Sequence, residues 1–127
     1  MSESLSIDAM YKKAEELGLV VVLPNVRDIF LDLDQAQDQY VMEALLPLLE
    51  KAGFPLILKK VTRSLNGNKH VYLESPADLT PETQLLLQAC LGSDRKREIL
   101  GYLALKTGVG CYSAFFEKPL VDGATIL

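Results

Sequence analysis

Apolar positions recur along this chain with two periods. Over Ser6 to Leu17, residues Ile7, Met10, Tyr11, Ala14 and Leu17 follow i, i+3, i+4, i+7 spacing. That spacing predicts an amphipathic helix, with Ser6 as N-cap and Gly18 just past its end. Leu19 to Leu23 is a compact β-branched run and predicts a strand, ended by Pro24-Asn25. Arg27 to Leu33 predicts a second strand. Gln35 to Ala52 predicts a helix with the stripe Val41, Ala44, Leu45, Leu48, Leu49 and Ala52, capped by Asp34 and ended by Gly53 and Pro55. Pro47 lies inside it and removes one backbone donor, so a kink is expected there. Leu56 to Arg63 and His70 to Glu74 predict two strands joined as a hairpin through Ser64-Leu65-Asn66-Gly67-Asn68-Lys69. Thr80-Pro81 opens a helix that runs to Leu91. Ser93 caps another, Asp94 to Lys106, with Ile99, Leu100, Leu103 and Ala104 toward the core. Tyr112 to Glu117 predicts a last strand, and Pro119 to Leu127 an irregular tail.

With the first helix and strand (residues 1–23) set apart as an N-terminal αβ extension, the order is β-α-β-β-α-β. This is the split ferredoxin-like arrangement. The expected fold class is therefore α+β, one domain over residues 1–127 with an antiparallel sheet and helices on one face. In that topology the Arg27–Leu33 strand is central, between the strand from His70 and the strand ending at Glu117.

Strand alternation then places chemistry. In Asp28-Ile29-Phe30-Leu31-Asp32-Leu33-Asp34, residues Ile29, Leu31 and Leu33 point one way, and Phe30, Asp32 and Asp34 the other. Two carboxylates about 7 Å apart on one face repel unless a positive group sits between them, and a divalent metal is the usual remedy. His70, Tyr72 and Glu74, and likewise Ser113, Phe115 and Glu117, can share that face. Phe30, Tyr72 and Phe115 can form a platform for base stacking, or be covered by another segment or a partner chain. His70 can contact a phosphate or merely its neighbours. The hairpin carries Lys59, Lys60, Arg63 and Lys69, which suit either a phosphate cradle with the amides around Gly67 or a solvated edge. Lys59 and Lys60 alternate and are expected on opposite faces. Arg95-Lys96-Arg97 reads as a solvated helix face.

Charge narrows the partners. The formal net charge is -4, which argues against sequence-independent nucleic-acid binding through a general basic excess, so any such contact needs a local patch. Cys90 and Cys111 match no metal-ligand spacing and read as small buried residues in a reducing compartment. Residues 1–12 show no signal pattern, and no apolar run approaches the roughly 20 residues of a membrane span. A soluble, cytoplasmic protein with no membrane contact is expected.

Three pieces in fixed order carry a family resemblance. They are Phe30-Leu31-Asp32-Leu33-Asp34, then Ser64 to His70 followed by Val71-Tyr72-Leu73, then Phe115-Phe116-Glu117. This order resembles the catalytic core of the archaeo-eukaryotic primase superfamily, the primase–polymerases, over roughly residues 24–118. Leu87 to Asp94 is similar to a segment of small primase-like proteins of mobile genetic elements. The resemblance implies an RRM-like sheet and a nucleotidyltransferase of DNA replication or repair. It implies Asp32, Asp34 and His70 as catalytic residues, with Mg²⁺ or Mn²⁺ held by Asp32, Asp34 and Glu117. Ser64 and His70 would contact the nucleotide phosphates, with Arg63, Gly67 and Lys69 beside them. The implied partners are a nucleoside triphosphate and a DNA or RNA template.

The chain departs from the pattern in three ways. Two residues, Asn68 and Lys69, separate glycine from histidine where the common form has one. No motif confirms Glu117. The chain is short for a complete primase and lacks a zinc-ligand cluster. A second reading therefore stands beside the first: a non-catalytic module that binds nucleic acid, nucleotide or a replication partner. A third is a small structural protein that forms a homo-oligomer through the open sheet face.

Overall fold

The computed structural model describes residues 7–63, 67–108 and 112–117. Ser6, the turn residues Ser64 to Asn66, Cys111 and the tail from Pro119 lie outside the described residues. Among those described the order is α1 (Ile7–Leu17), β1 (Val20–Val22), β2 (Asp28–Leu33), α2 (Asp38–Lys51), β3 (Ile57–Arg63), β4 (Lys69–Glu74), α3 (Pro81–Cys90), α4 (Arg95–Thr107) and β5 (Phe115–Glu117). The fold is α+β, with two small antiparallel sheets. One has the order β2-β4-β3 and the other is the pair β1-β5.

This corrects the expected strand order. The acidic strand β2 is not central. β4 is, and β2 forms an edge, with Asp32 opposite His70 and Phe30 opposite Tyr72. β5 pairs with β1 instead, Val20 opposite Glu117.

The physical reason lies along the outer edge of β2. Its backbone groups there are taken by the α3–α4 corner, which leaves no room for a strand. Gln84 Nε2 donates to the Asp28 carbonyl at 2.8 Å, and Gln88 Oε1 accepts from the Phe30 amide at 3.0 Å. Arg97 Nη1 donates to the Phe30 carbonyl at 3.2 Å. Ser93 Oγ accepts from the Asp32 amide at 3.0 Å, and the Asp94 amide donates to the Asp32 carbonyl at 2.7 Å. The spacing makes this possible. Residues i and i+4 of a helix rise about 6 Å, close to the roughly 6.8 Å of two strand residues. Two glutamines four apart on α3 thus meet alternate peptides of β2, and a glutamine amide carries both a donor and an acceptor.

The rest of that corner is also paired. Glu98 is buried, and its carboxylate accepts from Gln88 (2.8 Å), Ser93 (2.7 Å) and Arg97 (2.5 Å). Arg97 also donates to Ser113 at 3.0 Å. A buried charge without such partners would cost several kcal/mol.

One face of the β2-β4-β3 sheet carries the main core, formed by Ile29, Leu31, Leu33, Val61, Val71 and Leu73 with Met42, Leu87 and Leu91. This fulfils the expected alternation in β2. The helix stripes differ from expectation. α2 runs through Pro47 and buries Met42, with Leu45, Leu46 and Leu49 against the core, while Val41 and Leu48 are exposed. The segment Leu45-Leu46-Pro47-Leu48-Leu49 is apolar all round, so its period alone did not choose the face. Asp34 does not cap α2, whose first residue is Asp38. α4 departs from its expected stripe: Ala104 is buried as expected, but beside it lie Glu98 and Gly101, and Ile99, Leu100 and Leu103 are exposed. Its N-cap is Asp94, not Ser93. The demands of Glu98 and Arg97 at the β2 edge outweigh the apolar stripe. Cys90 is exposed, which corrects its expected burial.

Two predictions follow from this corner. Gln88→Leu strands the Phe30 amide and removes a donor from Glu98, so it should destabilise the protein by about 3 kcal/mol in urea unfolding. Leu86→Gln, two residues away and 69% exposed, should leave the midpoint nearly unchanged. Gly101 has a different constraint, since a Cβ there would fall on the Tyr112 carbonyl oxygen. Gly101→Ala should therefore lower the thermal midpoint, although alanine favours helix by about 1 kcal/mol at an unconstrained position.

Candidate metal and nucleotide site

The second face of the sheet carries the polar chemistry. Asp32 and His70 are direct cross-strand partners, so their side chains leave the sheet on the same side. Asp34 follows at the exit of β2, where its Oδ1 accepts from Asn68 Nδ2 at 2.9 Å. Asn68 also bonds toward Asp32 and favours its charged form. Asp94 lies beside both acids through its amide bond to the Asp32 carbonyl.

The electrostatics of this corner are unfavourable as it stands. Burial raises the Asp32 carboxyl above its usual value, while His70 and Arg97 pull it back. Asp32 Oδ1 is buried with no hydrogen-bond partner among the described residues. Asp34 is pushed up to about 6, by partial desolvation first and then by Asp94, Asp32 and Asp38.

Asp32 and Asp34 are the two acids here that could hold a divalent cation. The orphaned oxygen of Asp32 lacks a partner, and the mutual repulsion around Asp34 lacks a countercharge. Mg²⁺ commonly takes only one or two carboxylates and completes its shell with water and substrate phosphate. Among the described residues no three His, Cys, Asp or Glu side chains gather as a metal-holding group.

Glu117 is engaged otherwise. Its Oε2 accepts from Thr62 Oγ1 at 2.7 Å and from the Tyr72 hydroxyl, and lies 3.1 Å from His70 Nδ1. Burial would raise its carboxyl, but the His70, Tyr72 and Thr62 contacts outweigh that and hold it below the usual value. Burial, with Glu117, also drives the Tyr72 phenol upward.

The aromatic platform is closed. Phe30, Tyr72 and Phe115 form a buried cluster with Val22 packed on it. Phe115 stacks on Phe30 with centroids 5.1 Å apart and on His70 at 3.9 Å, and Arg97 lies 4.5 Å over its ring. Since β5 pairs with β1, that small sheet delivers Phe115 onto the face expected to be open. The platform is thus covered within the chain itself.

The basic hairpin divides. Lys69 donates to Gln39 of α2 at 2.7 Å, so it lies on the helix side, away from its neighbour His70. Arg63 is opposite Lys69 and exposed, with a 3.4 Å bond to the Gly67 carbonyl. Gly67 is exposed with φ +88°, the left-handed conformation expected of a glycine turn. Ser64 lies outside the described residues. A register shift between Leu58 and Lys60 breaks the alternation at Lys59. Lys59 then reaches Glu74 at 3.5 Å while Lys60 sits 4.6 Å over the Tyr72 ring, so both serve the site face, contrary to expectation.

Sequence reasoning thus found Asp32, Asp34 and His70 together and missed Asn68, Asp94, Thr62 and Arg97 around them. The signal for Asn68 was its place between glycine and histidine. The signal for Asp94 was the Leu87–Asp94 stretch. Thr62 and Arg97 gave none. No family model, curated protein or solved structure is significantly similar to this chain. No helix among the described residues is long and apolar enough to cross a membrane.

The opposed carboxyl shifts predict a stability maximum on the acid side of neutrality when divalent cations are chelated. Folded Asp34 takes its proton at about 6, above its ordinary value of 3.8, so its contribution is present at low pH and lost as the pH rises through 6. Folded Glu117 holds its charge below its ordinary value of 4.5, so its contribution is lost as the pH falls below that. Urea midpoints between about pH 7 and pH 3 should rise and then fall. Asp34→Asn should flatten the upper limb and Glu117→Gln the lower one. A midpoint constant from neutrality to about pH 5 would contradict the assignment for Asp34.

Proposed function

We propose that this chain is a primase–polymerase-like nucleotidyltransferase core, acting on nucleoside triphosphates with a DNA or RNA template in replication or repair. The observation that carries this reading is the pairing of Asp32 and His70 on one face, with Asp34 at the strand exit and Asp32 Oδ1 buried without a partner. The order β2, α2, β3, β4, α3–α4, β5 supports an RRM-like ancestry, with the β2 edge taken over by side chains.

In this reading Asp32 and Asp34 hold Mg²⁺ or Mn²⁺. The metal would supply charge neutralisation at the triphosphate and polarise the phosphorus under attack by a primer hydroxyl. The protein's own groups do the rest. Asn68 fixes the rotamer of Asp34 and touches Asp32. His70, stacked on Phe115, presents an edge to the phosphates. Lys60 supplies positive potential on the same face.

A second reading is a nucleotide- or nucleic-acid-binding module without catalysis. The closed aromatic face and the engagement of Glu117 favour it. Template-directed extension with Mn²⁺ and with Mg²⁺ separates the two. Wild type should extend a primer, and Asp32→Ala/Asp34→Ala should lose at least about 100-fold, since such acids bring the metal to the phosphates. Failure of extension together with absence of metal-dependent nucleotide binding sinks the first reading. Metal-independent oligonucleotide binding in a thermal-shift assay would leave the second.

A further inference from the structure

We infer that Glu117 is a positioning residue for His70 and not a metal ligand. The proposal deepens the nucleotidyl-transfer reading and rests on it only for what His70 meets; the pairing with Glu117 stands on geometry alone.

Three groups converge on one oxygen. Thr62 Oγ1 and the Tyr72 hydroxyl donate to Glu117 Oε2, and His70 Nδ1 lies 3.1 Å from it. A cation at that oxygen would have to displace a hydroxyl or meet the imidazole edge. The side chains of His70 and Glu117 are 8% and 9% exposed, so water competes little for the contact between them. Glu117 is buried on a strand that pairs with β1, whereas Asp32 and Asp34 gather at the exit of β2 with Asn68 and Asp94.

The same contacts fix the ring. His70 is parallel to Phe115 within 2° at 3.9 Å, which fixes the ring plane and leaves open only the half-turn about Cβ–Cγ that exchanges Nδ1 with Cδ2. Glu117 then sets that choice by facing Nδ1. The carboxylate attracts the proton-bearing nitrogen, so the proton is held on Nδ1 although the N–H is off the line of a good hydrogen bond. In an imidazole the two nitrogens point in nearly opposite directions. With Nδ1 facing Glu117, Nε2 is therefore turned away from it. A carboxylate that fixes the tautomer of a functional histidine acts through it. Tyr72 and Thr62 in turn fix the carboxylate, so four residues from β3, β4 and β5 orient one imidazole.

The chain has one histidine, so its imidazole nitrogens give one set of NMR signals and need no assignment by mutation. Long-range ¹H–¹⁵N spectra of the wild type should show Nδ1 protonated. A neutral ring protonated on Nε2 would overturn the proposal. Glu117→Ala should move proton population to Nε2, and Glu117→Gln, which keeps an acceptor oxygen, should restore Nδ1–H. Binding separates positioning from ligation. Glu117→Ala should bind Mn²⁺ alone as wild type does and lose about tenfold in Mn²⁺-dependent nucleoside triphosphate affinity, Glu117→Gln should recover most of that loss, and Asp32→Asn should lose Mn²⁺ itself. If Glu117→Ala loses Mn²⁺ as Asp32→Asn does, Glu117 is a ligand and the proposal fails. If wild type binds neither Mn²⁺ nor nucleotide, the nucleotidyl-transfer reading fails instead, and the tautomer alone decides the role of Glu117.

Discussion

The outer edge of β2 is the constraint on which the rest of this structure depends. An edge strand presents a row of unpaired amides and carbonyls, and burying that row without partners would cost about 1–3 kcal/mol for each group. Here Gln84, Gln88, Ser93, Asp94 and Arg97 stand where a neighbouring strand would. The solution is local in sequence, because these residues lie within one helix, its C-terminal turn and the first turn of the next. It is also exacting. Helix rise, strand repeat and the length of a glutamine side chain must agree, and the corner must carry a buried carboxylate, Glu98, with its own donors.

That edge explains the placement of everything on the second face. Because β2 is already satisfied, β5 pairs with β1, and the resulting ribbon brings Phe115 over Phe30 and His70. The same Arg97 that serves the Phe30 carbonyl lies over the Phe115 ring and reaches Ser113. So one guanidinium links the strand edge, the aromatic lid and the approach to β5. Glu117 follows two residues after Phe115 and meets His70 and Tyr72. The position of the third acid is thus a consequence of how a strand edge was closed.

Much of this was legible from alternation. Ile29, Leu31 and Leu33 inward, with Phe30 and Asp32 outward, is a period-2 statement, and it fixes the faces of β4 once the hairpin is drawn. The site pair Asp32 and His70 follows from the same step. What was hidden had two physical causes. The first is that α2 and α4 carry more apolar residues than one face can use, so periodicity allowed several orientations and burial of Met42 and Glu98 chose. The second is that strand order depends on who satisfies an edge, and the signal for that lay in polar residues. Gln84 and Gln88, four apart in the apolar run Leu85-Leu86-Leu87, are costly to bury unless paired. Two such residues on the buried face of a helix announce a backbone to be met. The departure of α4 from its stripe has the same origin, since Glu98 and Arg97 could not serve β2 while Ile99 and Leu103 faced the core.

The two acidic regions of the second face differ in how far they are already answered. Around Glu117 the charge is met by three neighbours, and its carboxyl is held low. Around Asp32 and Asp34 the carboxyls are raised and one oxygen has no partner; His70 and Arg97 answer part of the Asp32 charge, while the charges that act on Asp34 are acidic. A chain that stabilises one carboxylate so fully shows that its fold can do so. Asp32 and Asp34 are instead left with raised carboxyls. Such locally unfavourable electrostatics is what a site keeps when a ligand of opposite charge completes it. The contrast between the two regions, more than the presence of acids, is what the proposed metal site at the exit of β2 rests on.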